Sequence, residues 1–374
     1  MALRLSAFYF AFFAYAGVYV AYFPLYLAHR GLSAVEIAAV LAIPPLARIF
    51  VPAAWGWVAD RTGAHRAIVA FSCAVTVAGF AVMPFTQQIA LVIALISVLA
   101  NGALPLVEAI TMASLGGQGA GPQLGKYGPI RLWGSISFLL VVLAGGALLD
   151  YQPIGALPVA MALAMLAAFV IALTLPPARA AAAQPRLAFA LTPGAGALFA
   201  AGFCNAVAHG ALYAFLSLHL EARGYSGTMI GALWTLGVAA EIVVFFYLPQ
   251  LFRRFSLSTI LVASLAAGVL RFLAIGWLAG ELWIVLLAQL LHAATFGAFH
   301  SASVAAVHRL FPEHAQALGQ TLFSSVSYGA GAAAGLLLAG WAWEGGGAPL
   351  AFSACAMAAA AGAYFAARLK RAGL

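Results

Sequence analysis

Charge is the scarcest property of this chain. Only 7% of its 374 residues are Asp, Glu, Lys or Arg and 65% are hydrophobic, whereas a soluble domain carries about 25% charged residues. That balance, with a mean hydropathy of +1.05, excludes a water-soluble globule and indicates a polytopic membrane protein. Cysteine is almost as scarce. Cys73, Cys204 and Cys355 all fall inside apolar runs, a number and placement that suggest neither a disulfide framework nor a metal site. A phosphate-cradling loop is missing too, because Gly125-Lys126 is followed by Tyr127 and has no upstream glycine, which removes support for ATP drive. With no H-E-x-x-H and no G-x-S-x-G, an intramembrane hydrolase would have neither metal cage nor nucleophile. The chain is expected to be no enzyme and to use no cofactor or metal.

What is present is apolar length. Crossing about 30 Å of hydrocarbon takes about 20 helical residues, and 374 residues with short connectors leave room for twelve spans. Continuous apolar runs favour helices over a barrel, whose strands alternate over about 10 residues. Spans are predicted at 4–28, 33–58, 66–86, 88–115, 129–150, 154–175, 193–221, 225–250, 257–279, 281–310, 315–342 and 347–368. The first apolar stretch, Leu5 to Leu27, is too long for a cleaved signal and lacks a small-residue cleavage site. The segment 177–191, with Pro177, an alanine run and two arginines, reads as a cytoplasmic linker. It divides a six-helix bundle at 1–176 from a second at 192–374.

A net charge of +8 taken alone suggests nucleic acid, but its distribution does not. Arg4, Arg61, Arg66, Lys126, Arg179, Arg186, Arg253, Arg254, Arg309, Arg368, Lys370 and Arg371 fall on one side of the twelve-span arrangement. The opposite loops hold Arg30 and Arg223 beside Asp150, Glu221, Glu281 and Glu344. By the positive-inside rule both termini are cytoplasmic. The expected setting is a bacterial inner membrane, with lipid and a small solute as partners, no nucleic acid, and a monomer as the working unit.

The two halves repeat. An offset of 193 positions aligns Gly17 to Ala70 with the second half without a gap, matching Gly17/Gly210, Arg30/Arg223, Gly31/Gly224, Ser33/Ser226, Ile37/Ile230, Ile49/Ile242 and Arg61/Arg254. Composition bias could match Leu and Ala, but hardly Arg, Gly and Ser so regularly. A six-helix unit repeated in one orientation describes two parallel bundles around a cleft.

Five charges interrupt the apolar stretches: Arg48, Glu108, Arg131, Glu241 and Arg271. Each costs about 2.5–3.5 kcal/mol at a helix centre on insertion scales, so such groups are expected to pair or to line a wet pathway. Arg48 falls opposite Glu241 at the repeat offset, and Glu108 opposite His300 at an offset one shorter. Arg131, Ser135 and Phe138, at i, i+4 and i+7, share a helix face. Asn205, His209 and Tyr213 form a similar polar line. Tyr15, Tyr19, Tyr22 and Tyr26 form an aromatic stripe, a pattern that is more often packing than cavity lining. His292 and His300 lie ~80° apart on an ideal helix, so only a broad face would present both; a lone histidine there is more often a hydrogen-bonded packing residue.

Certain motifs carry a family resemblance. The run Gly56-Trp57-Val58-Ala59-Asp60-Arg61-Thr62-Gly63-Ala64-His65-Arg66 resembles the G-x-x-x-D-R-x-G signature of the major facilitator superfamily, in its usual place between helices two and three. Its glycines permit a tight turn, and Asp60 is expected to cap a helix end and pair with Arg61 or Arg66 as a latch that breaks when bundles rock. Asn101 to Ala109 and Tyr127 to Ser135 resemble lactose permease and related proton symporters, including those for nucleosides, which implies a substrate-contacting pair in Glu108 and Arg131. Where that family has a stacking Trp, this chain has Phe138. Leu236 to Glu241, Leu251 to Arg254, Val269 to Arg271, Leu291-His292 and His209 to Gly224 resemble the 3-phenylpropionate permease branch. Three residues past His292 the lactose branch has a carboxylate, whereas Thr295 stands here, so the proton-carrying role is expected either to move to another group, with Glu241 the first candidate, or to be absent. Burial opposes ionisation of that carboxyl and a nearby Arg271 favours it, so a solute that alters the balance would couple to the proton.

These readings converge on an all-α membrane protein of the major facilitator fold, importing a small organic solute with protons by alternating access. Three deep arginines against two deep glutamates leave one positive charge for an aromatic monocarboxylate. Arg48, Glu108, Arg131, Ser135, Phe138, Asn205 and His209 are the expected substrate contacts. Glu241, Arg271, His292 and His300 are the expected proton-coupling groups; Gly56, Asp60, Arg61, Gly63 and Arg66 form the expected gate. A sugar or nucleoside symporter, or a non-transporting sensor on the same fold, are the alternatives.

Overall fold

A computed structural model describes residues 1–115, 124–177 and 192–372. The helices are α1 (Ala2–His29), α2 (Ala34–Arg48), α3 (Val51–Thr62), α4 (His65–Val82), α5 (Ile89–Ala100), α6 (Ala103–Ser114), α7 (Leu124–Leu149) and α8 (Leu157–Ala172). They continue as α9 (Pro193–Ala208), α10 (Gly210–Ala222), α11 (Gly227–Arg254), α12 (Leu257–Leu278), α13 (Leu282–Leu290), α14 (Phe299–Leu310), α15 (Gln316–Ser324) and α16 (Ala332–Arg368). Two π-helical segments, Ala293–Ala298 and Ser325–Gly331, join α13 to α14 and α15 to α16.

Among the described residues ten helices are long and apolar enough to span a membrane, and the bent pair α2–α3 makes an eleventh. The last of the ten, Glu313–Arg368, breaks where Gly346 and Gly347 leave helical geometry, Gly347 at φ 65°, which supplies the twelfth. The sequence reading of twelve spans holds. Several spans are less straight than periodicity predicts: prolines and the Ile49–Phe50 turn bend the second, and the fourth breaks at Asn101–Gly102.

The repeat is visible in local geometry. Gly31 and Gly224 both sit at φ 83°, a left-handed conformation that only glycine adopts without strain. Two residues on, each copy opens a helix with a serine. Ser33 Oγ accepts from the Glu36 N–H at 3.3 Å while Glu36 accepts from the Ser33 N–H at 2.8 Å, a reciprocal capping box. Ser226 Oγ accepts from the Met229 N–H at 3.2 Å.

Contacts group the chain into two compact units, Met1–His29 with Ala47–Pro185, and Arg30–Leu46 with Arg186–Leu374. The segment Arg30–Leu46 thus packs within the second. There Gly340 of α16 lies directly on Ala38, and Glu344 accepts the Val35 N–H at the start of α2 at 3.2 Å. The linker read at 177–191 lies, apart from Pro177, outside the described residues.

In the first unit α1 packs on α7 and α8, and α4 on α8. In the tyrosine stripe of α1, Tyr22 is fully buried with its hydroxyl donating to the Val142 carbonyl, whereas the half-buried Tyr19 stacks on Phe23 and Tyr15 meets Phe80 at a tilt. In the second unit α16 packs on α9, α10 and α12. Small residues let these backbones touch. A Cβ on Gly335 would lie 2.6 Å from the Val207 backbone, and one on Gly331 2.8 Å from the Phe203 carbonyl. Overpacking costs about 1–3 kcal/mol, and here rigid backbone must move. Gly335→Val is therefore expected to lower the thermal midpoint of the detergent-solubilised protein by several degrees, while Gly56→Ala, at a site with open space around it, leaves it unchanged.

Candidate functional site

The second unit buries a complete guanidinium. Leu270 of α12 is 66% exposed and Arg271 beside it 1%, so one face of the helix presents lipid-compatible surface and the other a charge. Arg271 donates from Nε to the Ala288 carbonyl at 3.0 Å, from Nη1 to His292 Nδ1 at 3.0 Å and Thr295 Oγ1 at 2.9 Å, and from Nη2 to Gln289 Oε1 at 3.1 Å. Four of its five N–H groups thus meet neutral acceptors. Gln289 is held in turn by donating to the Leu233 carbonyl of α11 at 2.9 Å.

These bonds determine the state of His292. A guanidinium only donates, so Nδ1 must be the bare nitrogen and the hydrogen sits on Nε2. That Nε2 faces Glu241 Oε2 of α11 at 3.7 Å. The result is a chain, Glu241–His292–Arg271, in which a carboxyl reaches a buried cation through one neutral imidazole. Protonating His292 a second time would break its bond with Arg271, which leaves Glu241 as the group that exchanges a proton most simply. The expected direct influence of Arg271 on Glu241 is therefore relayed.

A π-turn follows His292, and it corrects the expected separation of the two histidines. Such turns close i→i+5 bonds and recur at functional sites; each residue advances less than in an α-helix. His292 stacks on Phe296 at 5.3 Å and 12°, and Phe296 on His300 at 6.3 Å and 13°, so all three rings share one line. His300 ends it through a 2.8 Å bond between Nδ1 and the Tyr328 hydroxyl of the second π-turn. A glycine in the first turn lets α11 come close, because a Cβ on Gly297 would lie 2.9 Å from Glu241 Cγ.

Asn205 and His209 join the same neighbourhood. The imidazole Nδ1 of His209 lies 2.8 Å from the Asn205 carbonyl, its ring 6.4 Å from that of His292. Nε2 is buried without a partner among the described residues, a condition that costs about 1–3 kcal/mol.

In the first unit Arg131 of α7 lies half-buried over the Phe13 ring at 4.0 Å, with Tyr9 at 5.5 Å. Glu108 of α6 is close to Tyr127, and Tyr127 close to both Arg131 and Tyr9. Tyr9 bonds Thr111 at 3.3 Å. Glu108 and Arg131 thus belong to one cluster, joined through a phenol that sequence reasoning had not singled out. Gly134 gives the cation room: a Cβ there would lie 2.8 Å from Arg131 Nη1 and 2.7 Å from the Phe13 ring. Ser135 is half-buried one turn on. Phe138 packs its ring against Gly17 of α1. Arg48 is exposed at the end of α2.

The expected gate is also rearranged. Asp60 pairs with His65 at 3.4 Å instead of Arg61 or Arg66. Arg61 turns back over Trp57, one helical turn away, at 4.3 Å, and Arg66 donates to the Leu175 carbonyl at 3.4 Å. Gly63, at φ 68°, closes α3 by donating to the Ala59 carbonyl at 2.8 Å, a left-handed helix stop. Gly56 stands in open space. Among the described residues no group of three or more His, Cys, Asp or Glu is arranged to hold a metal.

Comparison with known proteins gives a consistent picture. The profile of the MFS_1 like family matches residues 2–354. The probable 3-phenylpropionic acid transporter of Escherichia coli (strain K12) is 32% identical over 58% of this chain, which spans 59% of that protein's length. The maltose permease of Geobacillus stearothermophilus is 27% identical over 93% of this chain and 90% of its own. A mutant of the nucleoside transporter NupG superposes with a TM-score of 0.86 at 18% identity over 99% of each chain, a likeness of fold alone.

Proposed function

As a member of the MFS_1 like family, a multi-pass membrane transporter, the chain is one for which we propose proton-coupled import of a small aromatic monocarboxylate of the 3-phenylpropionate kind. The observation that carries this reading is the Glu241–His292–Arg271 chain. It supplies a carboxyl whose charge is felt by a buried cation yet is not locked to it. Arg131 on its aromatic shelf supports the choice of solute: a planar guanidinium grips a carboxylate bidentately, and the half-buried Phe13 and Tyr127 give an aromatic ring surfaces to lie on. The relation to the Escherichia coli protein supports the same class. Excess Lys and Arg in alternate connectors supports cytoplasmic termini in a bacterial inner membrane.

A second reading, a sugar or nucleoside symporter, has one specific support: the match to the maltose permease runs nearly end to end. Vesicles loaded with a pH-sensitive dye separate the two. Adding 3-phenylpropionate outside is expected to acidify the lumen, with maltose and uridine silent. Proton entry driven by maltose or uridine and not by 3-phenylpropionate would transfer the assignment to the second reading. Binding of any of them without proton movement would leave a sensor.

A further inference from the structure

His209 is where the second unit leaves a hydrogen-bonding group unanswered. Its Nδ1 lies 2.8 Å from the Asn205 backbone oxygen. A carbonyl only accepts, so Nδ1 carries the hydrogen and Nε2 presents a lone pair. No described group donates to that lone pair. The rings of Phe272, Tyr213, Phe296 and His292 stand 5.2, 6.0, 6.3 and 6.4 Å from the imidazole. The polar members of this neighbourhood are already engaged: His292 spends one nitrogen on Arg271 and turns the other to Glu241, and Arg271 is distributed over four acceptors.

The backbone is irregular at the same place on two helices. His209 tightens the continuous span Pro193–Ala222 locally, at φ −88° and ψ −1° between α9 and α10, its N–H donating to the Ala206 carbonyl at 3.1 Å. The π-turn begins at Ala293, directly after His292. π-turns recur at functional sites, and this one lies beside the His209 imidazole, whose ring is 6.3 Å from Phe296 within the turn. The tightened turn at His209 is also fixed from behind, since Gly210 lies directly on the Gly335 backbone. The imidazole is therefore held by packing in one tautomer, with an acceptor nitrogen that no described group answers.

We propose that His209 Nε2 accepts a hydrogen bond from a hydroxyl or N–H group of the transported solute. This rests on the transport reading and narrows it. Recognition in the second unit is by a neutral acceptor, so a carboxylate is repelled from this point and a phenolic, ribose or amide donor is selected. Hydroxylated solutes bind more tightly than their deoxy counterparts because only they satisfy the lone pair. A water bound at Nε2 would satisfy it as well, but would give no preference between such counterparts.

The test measures equilibrium binding to the purified full chain in detergent, by ligand-dependent thermal stabilisation, for two matched pairs. One is 3-phenylpropionate with its 3- and 4-hydroxyphenyl analogues; the other is uridine with 2′,3′-dideoxyuridine. In the wild type a hydroxylated member is expected to bind about tenfold more tightly or better. His209→Phe, which keeps a ring and removes the acceptor, abolishes the preference, whereas His209→Gln, which retains an acceptor oxygen, keeps part of it. A preference that survives His209→Phe overturns the proposal. So does the lack of any preference in both wild-type pairs, absence of binding included. Failure of every phenylpropionate to bind removes the monocarboxylate assignment alone, and the uridine pair then decides the role of His209.

Discussion

Glu241→Gln is expected to abolish uphill accumulation of the solute and to leave solute exchange intact. The substitution keeps the shape that fits against Gly297 and still offers His292 an oxygen acceptor, so packing around the π-turn survives. What it removes is the ability to alternate between charged and neutral. In the charged form, the carboxylate and Arg271 bind the two sides of one imidazole. In the neutral form that attraction is absent and a buried guanidinium has four neutral partners only. A transporter that must pass through both forms on each cycle converts a proton gradient into a solute gradient. For a monoanion moving with one proton, one pH unit is worth about 1.4 kcal/mol, which sustains about a tenfold solute gradient. The Gln variant should reach a ratio of about one under the same gradient, while exchange of labelled for unlabelled solute, which needs no change of protonation, continues. Reconstituted vesicles with an imposed pH difference supply the measurement. Accumulation equal to the wild type would remove Glu241 from the coupling and shift attention to His300 and its Tyr328 partner.

The sequence disclosed the coarse design because that design follows from composition. Apolar runs of about 20 residues need no tertiary information to be recognised, and the Gly31/Gly224 and Ser33/Ser226 matches register a turn geometry that the two copies share. Arg131 with Glu108, and Arg271 with His292, were legible as neighbours through the resemblance to lactose permease and its relatives, and the cost of a lipid-buried charge agrees with their having partners. Their actual connections were not. Helical spacing assumes 3.6 residues per turn, and the π-turn at Ala293–Ala298 breaks that assumption, so Phe296 went unnoticed as the ring between His292 and His300. Within that turn Gly297 lets Glu241 approach closely, a contact between helices distant in sequence. Tyr127 and Tyr9 were invisible for a related reason: a tyrosine in an apolar helix reads as packing until its neighbours are known. Likewise Asp60 has two arginines nearby in sequence, yet the helix stop at Gly63 brings His65 to it.

Loss of Arg131 should weaken monocarboxylate binding more than any other single change in the first unit. The guanidinium is already desolvated on one face by the Phe13 ring, and cation–π contact of this kind holds its plane. Two charge-assisted bonds to a carboxylate contribute about 1.5–3 kcal/mol each, so Arg131→Ala is expected to reduce affinity for 3-phenylpropionate by about 100-fold or more. Arg131→Lys keeps the charge and loses the planar fork, so an intermediate loss follows. Gly134→Ala should mimic part of the effect without touching the charge, since its methyl would enter the space between Arg131 and Phe13. Structural damage would weaken every ligand alike, whereas loss of anion recognition is specific. The decisive comparison is therefore with 3-phenylpropanamide, which has no carboxylate to lose. Its affinity should be low in the wild type and little changed in Arg131→Ala, so that the two deletions together cost scarcely more than either alone. Equal proportional losses for acid and amide would show that Arg131 holds α7 against α1 and does not read the solute's charge.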